Sequence, residues 1–298
     1  MKKRGLALLL ALIMALALVP VTAVGATTVA SGYCGGDTTS GYDSASDAYK
    51  NLSWTLDSAG KLTISGTGVM KDYFDVATWY SNRNEIQSVV IENGVTSINR
   101  VAFSDCKNLT SVTIGNSVTN IGQGAFGGCS SLVSVIIPNS VTIIGMSAFG
   151  NCSRLTSVTI GNSVTSIGQD AFGGCSSLTS VTIPNSVTSI GGLAFSGCSS
   201  LTNVTIPNSV TIIGNAAFAW CDTLTDVYYA GSETQWKAIS IDKGNDDLTS
   251  ATIHYNSTPD EPDTPDTPTG GGIMRVITTI IKLIQQILQI FSKIFARG

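Results

Sequence analysis

Six phenylalanines, Phe103, Phe126, Phe149, Phe172, Phe195 and Phe218, stand 23 residues apart, and Cys106, Cys129, Cys152, Cys175, Cys198 and Cys221 keep the same interval. Self-similarity at a period this short predicts a solenoid, because one such unit cannot bury its own apolar residues and must stack on its neighbours. An alanine precedes every one of these phenylalanines, from Ala102 to Ala217, and a leucine lies three residues beyond every one of these cysteines, from Leu109 to Leu224.

Between one Cys and the next Phe, each unit runs through a segment such as Leu178-Thr-Ser-Val181-Thr-Ile183, followed by Pro184-Asn185-Ser186-Val187-Thr188-Ser189-Ile190-Gly191. Leu-x-x-Val-x-Ile ends in alternation with a period of two and is rich in β-branched residues, so it predicts a short strand with Val and Ile turned inward. Residues 86–91 supply a divergent first copy, giving seven strand segments. The Pro or Gly after the strand (Gly115, Pro138, Gly161, Pro184, Pro207) and the Asn beyond it are turn chemistry. A second apolar pair, such as Val118 and Ile121, then faces the same interior from the other side. Stacked at about 4.8 Å, the strands pair in parallel and place like on like.

A solenoid needs closed ends, since a bare terminal coil exposes core and an unpaired strand edge. In front, Leu52, Trp54 and Leu56 alternate, Asp57 to Gly60 turn, and Leu62 and Ile64 alternate back, which reads as a capping hairpin. Behind, Ser232-Glu-Thr-Gln235 has capping-box spacing and predicts a short helix through Trp236, before a last strand near residues 251–255.

The unit Leu-Thr-Ser-Val-Thr-Ile-Pro-Asn-Ser-Val-Thr-Ser-Ile-Gly-x-x-Ala-Phe-x-x-Cys, read from Leu178 to Cys198, closely resembles the BspA-type leucine-rich repeats of bacterial surface proteins. The likeness covers residues 86–229, and Trp54-Thr-Leu-Asp, Leu62-Thr-Ile-Ser-Gly66-Thr-Gly68, Trp79-Tyr80 and Tyr228-Tyr-Ala-Gly-Ser232 with Trp236 extend it to the flanks. The resemblance implies an extracellular, surface-associated protein of the adhesin sort, whose relatives bind host matrix or plasma proteins. It names no ligand.

Met1-Lys2-Lys3-Arg4, an apolar run from Leu6 to Val19, Pro20 and a small-residue exit at Ala26 read as a signal peptide rather than a membrane anchor. Without Lys2, Lys3 and Arg4 the 16 basic residues become 13 against 20 acidic ones, a net charge of −7, so nucleic acid is not an expected partner. Six of seven cysteines sit between Phe and Leu, where a small apolar filler is wanted. Free buried thiols are therefore favoured over a disulfide ladder, although stacked coils are close enough for one. No two repeat cysteines have the two-to-four spacing of zinc pairs. His254 is the only histidine, and no nucleophile elbow, zincin helix or phosphate loop occurs. Asp105, Asp170, Asp222 and Asp226 show no repeated pairing. The chain is expected to be no enzyme and to need no cofactor or metal.

The candidate binding surface is the outward row of the strands: Ser111 and Thr113, Ser134 and Ile136, Ser157 and Thr159, Ser180 and Thr182, Asn203 and Thr205, then Asp226 and Tyr228. It reads as a flat polar ladder able to dock an extracellular protein or a glycan. Against this stands the plain reading that Ser and Thr only stabilise an exposed sheet by cross-strand pairing. The Thr ladder also suggests an ice-binding array, but Ile136 and Asn203 interrupt it.

Residues 257–272, with three x-Pro-Asp steps and Gly270 to Gly272, form an acidic extended linker. Ile273, Ile280, Ile287 and Ile294 then recur every seven residues on one broad apolar helical face, with Arg275, Lys282, Gln289 and Lys293 opposite. A helix whose charges are all positive is expected to contact a membrane surface, to form homo-oligomers through its heptads, or to dock on the solenoid. The expected fold is therefore mainly β: a leucine-rich-repeat solenoid with a parallel strand ladder. Its order is a signal peptide (1–26), an N-terminal β cap (27–85), the array (86–229), a C-terminal cap (230–256), the linker (257–272) and an amphipathic helix (273–298). Two functions fit it. One is a secreted or cell-surface binding protein; the other is a structural surface protein that self-assembles through the terminal helix.

Overall fold

A computed structural model describes residues 26–35, 50–72 and 77–257. The signal segment up to residue 25, the linker beyond residue 257 and the terminal helix with Ile273, Ile280, Lys282, Ile287, Lys293 and Ile294 lie outside the described residues.

The described chain winds as a coil of short strands in two ladders. The first ladder contains β1 (Thr28–Tyr33), β2 (Leu52–Asp57), β3 (Lys61–Gly66), β5 (Ser88–Ile91), β7 (Ser111–Ile114), β9 (Ser134–Ile136) and β11 (Ser157–Thr159) in one seven-stranded sheet. It continues with β13 (Ser180–Thr182), β15 (Asn203–Ile206), β17 (Asp226–Tyr229) and β19 (Thr252–Tyr255) in a four-stranded sheet. The second ladder is an eight-stranded sheet of two- to four-residue strands: β4 (Gly68–Val69), β6 (Val95–Ile98), β8 (Asn120–Ile121), β10 (Ile143–Ile144), β12 (Ser166–Ile167), β14 (Ser189–Ile190), β16 (Ile212–Ile213) and β18 (Ser240–Ile241). All pairings within the array are parallel and follow the repeat: Ser134 lies beside Ser157, Asn203 beside Asp226, and Ile144 beside Ile167.

The interior follows from the alternation. Leu178, Ile183, Val187, Ile190, Ala194, Phe195 and Cys198 of one unit are all buried, and so are their counterparts in every unit. The five Phe–Phe steps from Phe103 to Phe218 stack at centroid distances of 5.1–5.5 Å with planes within 3–17° of each other. Trp79 extends the pile at 5.3 Å from Phe103 and donates its Nε1–H to the Ala102 carbonyl at 2.9 Å. Stacking repeats the backbone bonds as well. The N–H of Phe126 donates to Ala148 O and that of Phe172 to Ala194 O, each at 2.8 Å, so every coil supplies the acceptor for the one before it.

The repeat cysteines are free, buried thiols. From Cys129 to Cys221 each Sγ–H donates to the carbonyl of the Phe one coil earlier at 3.1–3.4 Å, so the sulfur both fills space and satisfies an acceptor. Burial pushes the Cys106, Cys152 and Cys221 thiols up to about 12, which makes them poor nucleophiles.

The ends are closed as the sequence predicts, with additions. β2 and β3 form the capping hairpin, and β3 passes its edge in parallel to β5. The unexpected β1 adds an antiparallel strand outside β2. At the rear, α1 (Glu233–Lys237) begins with a full capping box between Ser232 and Gln235. A second short helix, α2 (Asp246–Ser250), follows. Past the last phenylalanine turn the cap supplies the acceptors: Lys243 O takes the Ala216 N–H at 2.9 Å, and side chains take the next ones. Asn245 Oδ1 accepts from Phe218 N at 3.0 Å, while Asp247 Oδ2 accepts from Cys221 N at 3.0 Å.

Candidate functional site: the strand face

All the outward residues named from the sequence project from the first ladder, and the register brings them into rows. Ser111 lies beside Ser134 and Ser134 beside Ser157; Ile136 pairs with Thr159; Thr182, Thr205, Tyr228 and His254 follow one another. Ser111, Thr113, Ser134, Ser157, Thr159, Ser180 and Thr182 are exposed, whereas Asn203, Thr205 and Tyr228 are half-buried.

Not every threonine of the repeat belongs to this surface. Thr110, Thr156, Thr202 and Thr225, just before the strands, donate their hydroxyls to a backbone carbonyl of the preceding coil at 3.0–3.3 Å. Thr119, Thr142, Thr165, Thr188 and Thr211 do the same before the second ladder. These two columns hold coil to coil. The hydroxyls of Thr113, Thr159, Thr182 and Thr205 make no such bond among the described residues, so they remain available to a ligand.

The sequence reading expects a flat ladder, and the structure corrects this. The corner after each strand is Gly in two units and Pro in three. A Cβ on Gly161 would lie within 2.5 Å of the Pro138 carbonyl oxygen, and one on Gly115 would lie 2.7 Å from that of Glu92, so these corners press against the coil before them. Strand pairing to the coil after them is reduced. β7 pairs with β9 only through Ser111 and Ser134, and no register pairing joins β11 to β13, whereas β5 with β7 share four positions and β9 with β11 share three. Val112 and Val158 of the Gly units are half-buried, in contrast to the buried Val135, Val181 and Val204 of the Pro units.

A cleft of about 590 Å³ opens over β7, β9 and β11. Its walls include Thr113, Asn116, Asn139, Thr159 and Asn162, and Ile136, 69% exposed, stands in it. None of its lining residues is charged. A neighbouring hollow of about 520 Å³ continues it toward β5 past Asn93, with Glu92 on its rim. The asparagines lie in one column: Asn93 Oδ1 accepts from Asn116 N and Asn139 Oδ1 from Asn162 N, each at 2.8 Å, which fixes the direction of those amides.

At the far end of the face, His254 Nε2 lies 2.7 Å from Asp226 Oδ1, and Thr225 donates to Asp226 Oδ2 at 2.7 Å. These bonds, the one from His254 first, hold the Asp226 carboxyl below the usual carboxylate range. The Tyr228 and His254 rings stack at 4.8 Å with planes 15° apart. The sequence offered His254 only as a lone residue on a terminal strand; its meeting with Asp226, 28 residues away, depends on the pairing of β17 with β19. Among the described residues no group of three or more His, Cys, Asp or Glu side chains could hold a metal ion, and no helix is long and apolar enough to cross a membrane.

The family model of the BspA type leucine rich repeat region, in six copies, matches residues 77–198 and 144–258, more than half of the chain. Among solved structures, the leucine-rich repeat protein of T. pallidum is 29% identical, with a TM-score of 0.48 over 60% of this chain and 79% of its own. A leucine rich cell surface protein from Faecalibacterium prausnitzii A2-165 is 19% identical, with a TM-score of 0.38 over 70% of this chain and 99% of its own. A leucine-rich repeat protein from Bacteroides ovatus ATCC 8483 is 19% identical, with a TM-score of 0.42 over 72% of each chain. No curated protein matches. Six units in register, each with the Ala-Phe-x-x-Cys turn and five of them with the Leu-x-x-Val-x-Ile strand, together with the family match across them, place this chain in the BspA-type leucine-rich repeat family.

Proposed function

We propose that this is a secreted, surface-associated binding protein of the adhesin sort, without enzymatic activity, which recognises an extracellular protein or glycan through its strand face. The observation that carries the reading is the division of labour among the threonines. Two columns are bonded to the backbone of the preceding coil, while a third presents hydroxyls in register beside an uncharged cleft. A surface of that composition is the polar, partly apolar kind that protein and glycan ligands share. The basic, apolar and small-residue succession of residues 1–26 supports export, and the negative net charge disfavours nucleic acid.

Binding of the purified chain to immobilised matrix proteins and to a glycan array tests this. Replacing Thr159, Thr182 and Thr205 with Lys puts three charges into the row while leaving the interior untouched. Binding is expected to be lost with the melting temperature unchanged. Undiminished binding by the triple variant overturns the strand-face assignment.

A further inference from the structure

We infer that Trp220 and the carboxylates around it form a second interaction surface, on the phenylalanine side of the last repeat, which docks an arginine-rich segment of a partner protein. This surface lies apart from the strand face and goes beyond the reading above, so either can fail alone.

The site begins with a departure from the chain's own rule. Between each repeat phenylalanine and its cysteine one residue takes a left-handed backbone: Asp105, Gly128, Asn151, Gly174, Gly197 and Trp220, with φ between 56° and 73°. Asp, Gly and Asn tolerate this conformation, and tryptophan does so at a cost. Packing does not explain the exception. Trp54, Trp79 and Trp236 are buried, whereas Trp220 is 66% exposed. Among the described residues its indole N–H makes no hydrogen bond, and its ring meets no other ring or cation. A Cβ on Gly197, the equivalent residue one coil back, would meet only Gly174 within 4 Å, so the indole is not laid over its predecessor either. Glycine would serve the fold better at this position, and a large aromatic shown to solvent is the kind of side chain that anchors a partner.

The chemistry around the ring selects the partner. Asp222 follows two residues on and is exposed. Asp247 Oδ2 accepts the N–H of Cys221, the residue next to Trp220, at 3.0 Å, which brings α2 and its exposed Asp246 alongside. The Cys221 thiol is pushed up by burial first and also by the charges of Asp247 and Asp222, so both carboxylates lie close to this turn. Residues 214–224 and 238–251, which meet here, carry Asp222, Asp242, Asp246 and Asp247 against one cation, Lys243. Lys243 is tied by its carbonyl to Ala216, four residues before Trp220. Asn245 donates to Gly214 O at 3.0 Å and to Asp242 O at 2.8 Å, so the acidic segment is fixed before a partner arrives.

An aromatic face with acidic neighbours fits a cation, which the ring quadrupole and the carboxylates attract together. Arginine fits better than lysine. Its planar guanidinium stacks on an indole while its N–H fork bonds a carboxylate, and it is the more weakly hydrated of the two. A neutral sugar stacks on the same ring but gains little from the charge, which decides for the basic partner.

The test is titration of the purified chain with hexa-arginine, hexalysine, hexaglutamate and cellohexaose, read by calorimetry and by tryptophan emission. Hexa-arginine is expected to bind and to shift the emission, hexalysine to bind several-fold more weakly, and hexaglutamate not to bind. Trp220→Asn, which suits the left-handed backbone, should weaken hexa-arginine binding by about tenfold while leaving the melting temperature unchanged or higher. Asp222→Asn and Asp246→Asn should each weaken it by about two- to fivefold and reduce its salt dependence. Thr182→Val, on the strand face, should leave it unchanged. Equal binding by Trp220→Asn and the parent chain, or equal affinity for hexalysine, reduces the effect to diffuse charge and overturns the inference. A marked fall in the melting temperature of Trp220→Asn returns the indole to the fold and does the same. Cellohexaose binding that Trp220→Asn removes, with no binding of hexa-arginine, keeps the ring as a site and rejects the basic partner.

Discussion

The phenylalanine side of each coil and its strand side obey different rules. On the phenylalanine side the same four residue types recur in all six units, and the result is one uniform pile: planes within 3–17°, steps of 5.1–5.5 Å, thiols bonded to the same carbonyl in five successive coils. On the strand side the corner is Gly in two units and Pro in three, and the strand pairing that follows the Gly units shrinks to one position or is absent. A solenoid can therefore keep a constant core while a single corner residue reshapes its outer face. The reason is that coil spacing is set by the buried pile, which tolerates no change in volume, whereas the outward edge of the strand has solvent to move into.

The largest effect that would break this contrast is alkaline. Burial disfavours the thiolate, which pushes Cys106, Cys152 and Cys221 up to about 12 against an ordinary value of 9.0 and moves Cys129, Cys175 and Cys198 in the same direction. A folded value raised above the unfolded one means that the stabilisation is complete below pH 9 and is lost as pH climbs toward 12. Each thiol then contributes up to about 1.4 kcal/mol per pH unit, so several together give a steep loss. Denaturant midpoints measured across pH 8–11 should fall sharply, and Cys152→Ala and Cys175→Ala together should flatten the slope. A slope unaffected by removing two thiols would mean that they are not buried in common.

Next in size is the pile itself. Phe172→Ala, in the middle of the stack, is expected to destabilise by about 3–5 kcal/mol through the cavity it leaves. An unchanged melting temperature would show that the phenylalanines do not carry the coil spacing.

The Gly corner comes third. Gly161→Ala forces a methyl group against the Pro138 carbonyl and should cost about 1–3 kcal/mol. It should also draw β11 away from β9, which amide exchange on Thr159 and Ile160 would detect. An equal cost for Pro184→Ala would remove the distinction between the two kinds of unit. Smallest of all is the outward row: Thr182→Val should shift stability by no more than about 0.5 kcal/mol, because its hydroxyl bonds nothing in the fold. A larger loss in thermal unfolding would return this threonine to a structural role.

Much of this architecture was legible in the chain. The 23-residue period, the Leu-x-x-Val-x-Ile alternation, the Asp57–Gly60 turn and the Ser232–Gln235 capping box each state their geometry locally, and the corresponding strands, hairpin and helix are present. β1 was not legible, because Thr28–Tyr33 carries no alternation of its own and becomes a strand only by pairing with β2. The role of Asn245 was equally hidden. Its side chain replaces the carbonyl that a further coil would have supplied to Phe218, and nothing near it in sequence requires that.

The candidate site divides the same way. Which residues point outward follows from period-two alternation, so Ser111, Thr113, Ser134, Ser157, Thr159, Ser180, Thr182, Asn203, Thr205 and Tyr228 could be named from sequence. Which threonines are already bonded, where the face opens, and that His254 reaches Asp226 could not, since each depends on contacts 22 to 28 residues apart.

By itself the chain determined the repeat, the inward and outward assignment of every strand position and the kind of cap at each end, because all of these are set by spacing within one unit. Only the tertiary structure decided the cleft, the sorting of the threonines and the pairing at the last coil. Those arise from how one coil settles against the next, and a periodic sequence fixes that coils stack without fixing how closely each pair of outer edges meets.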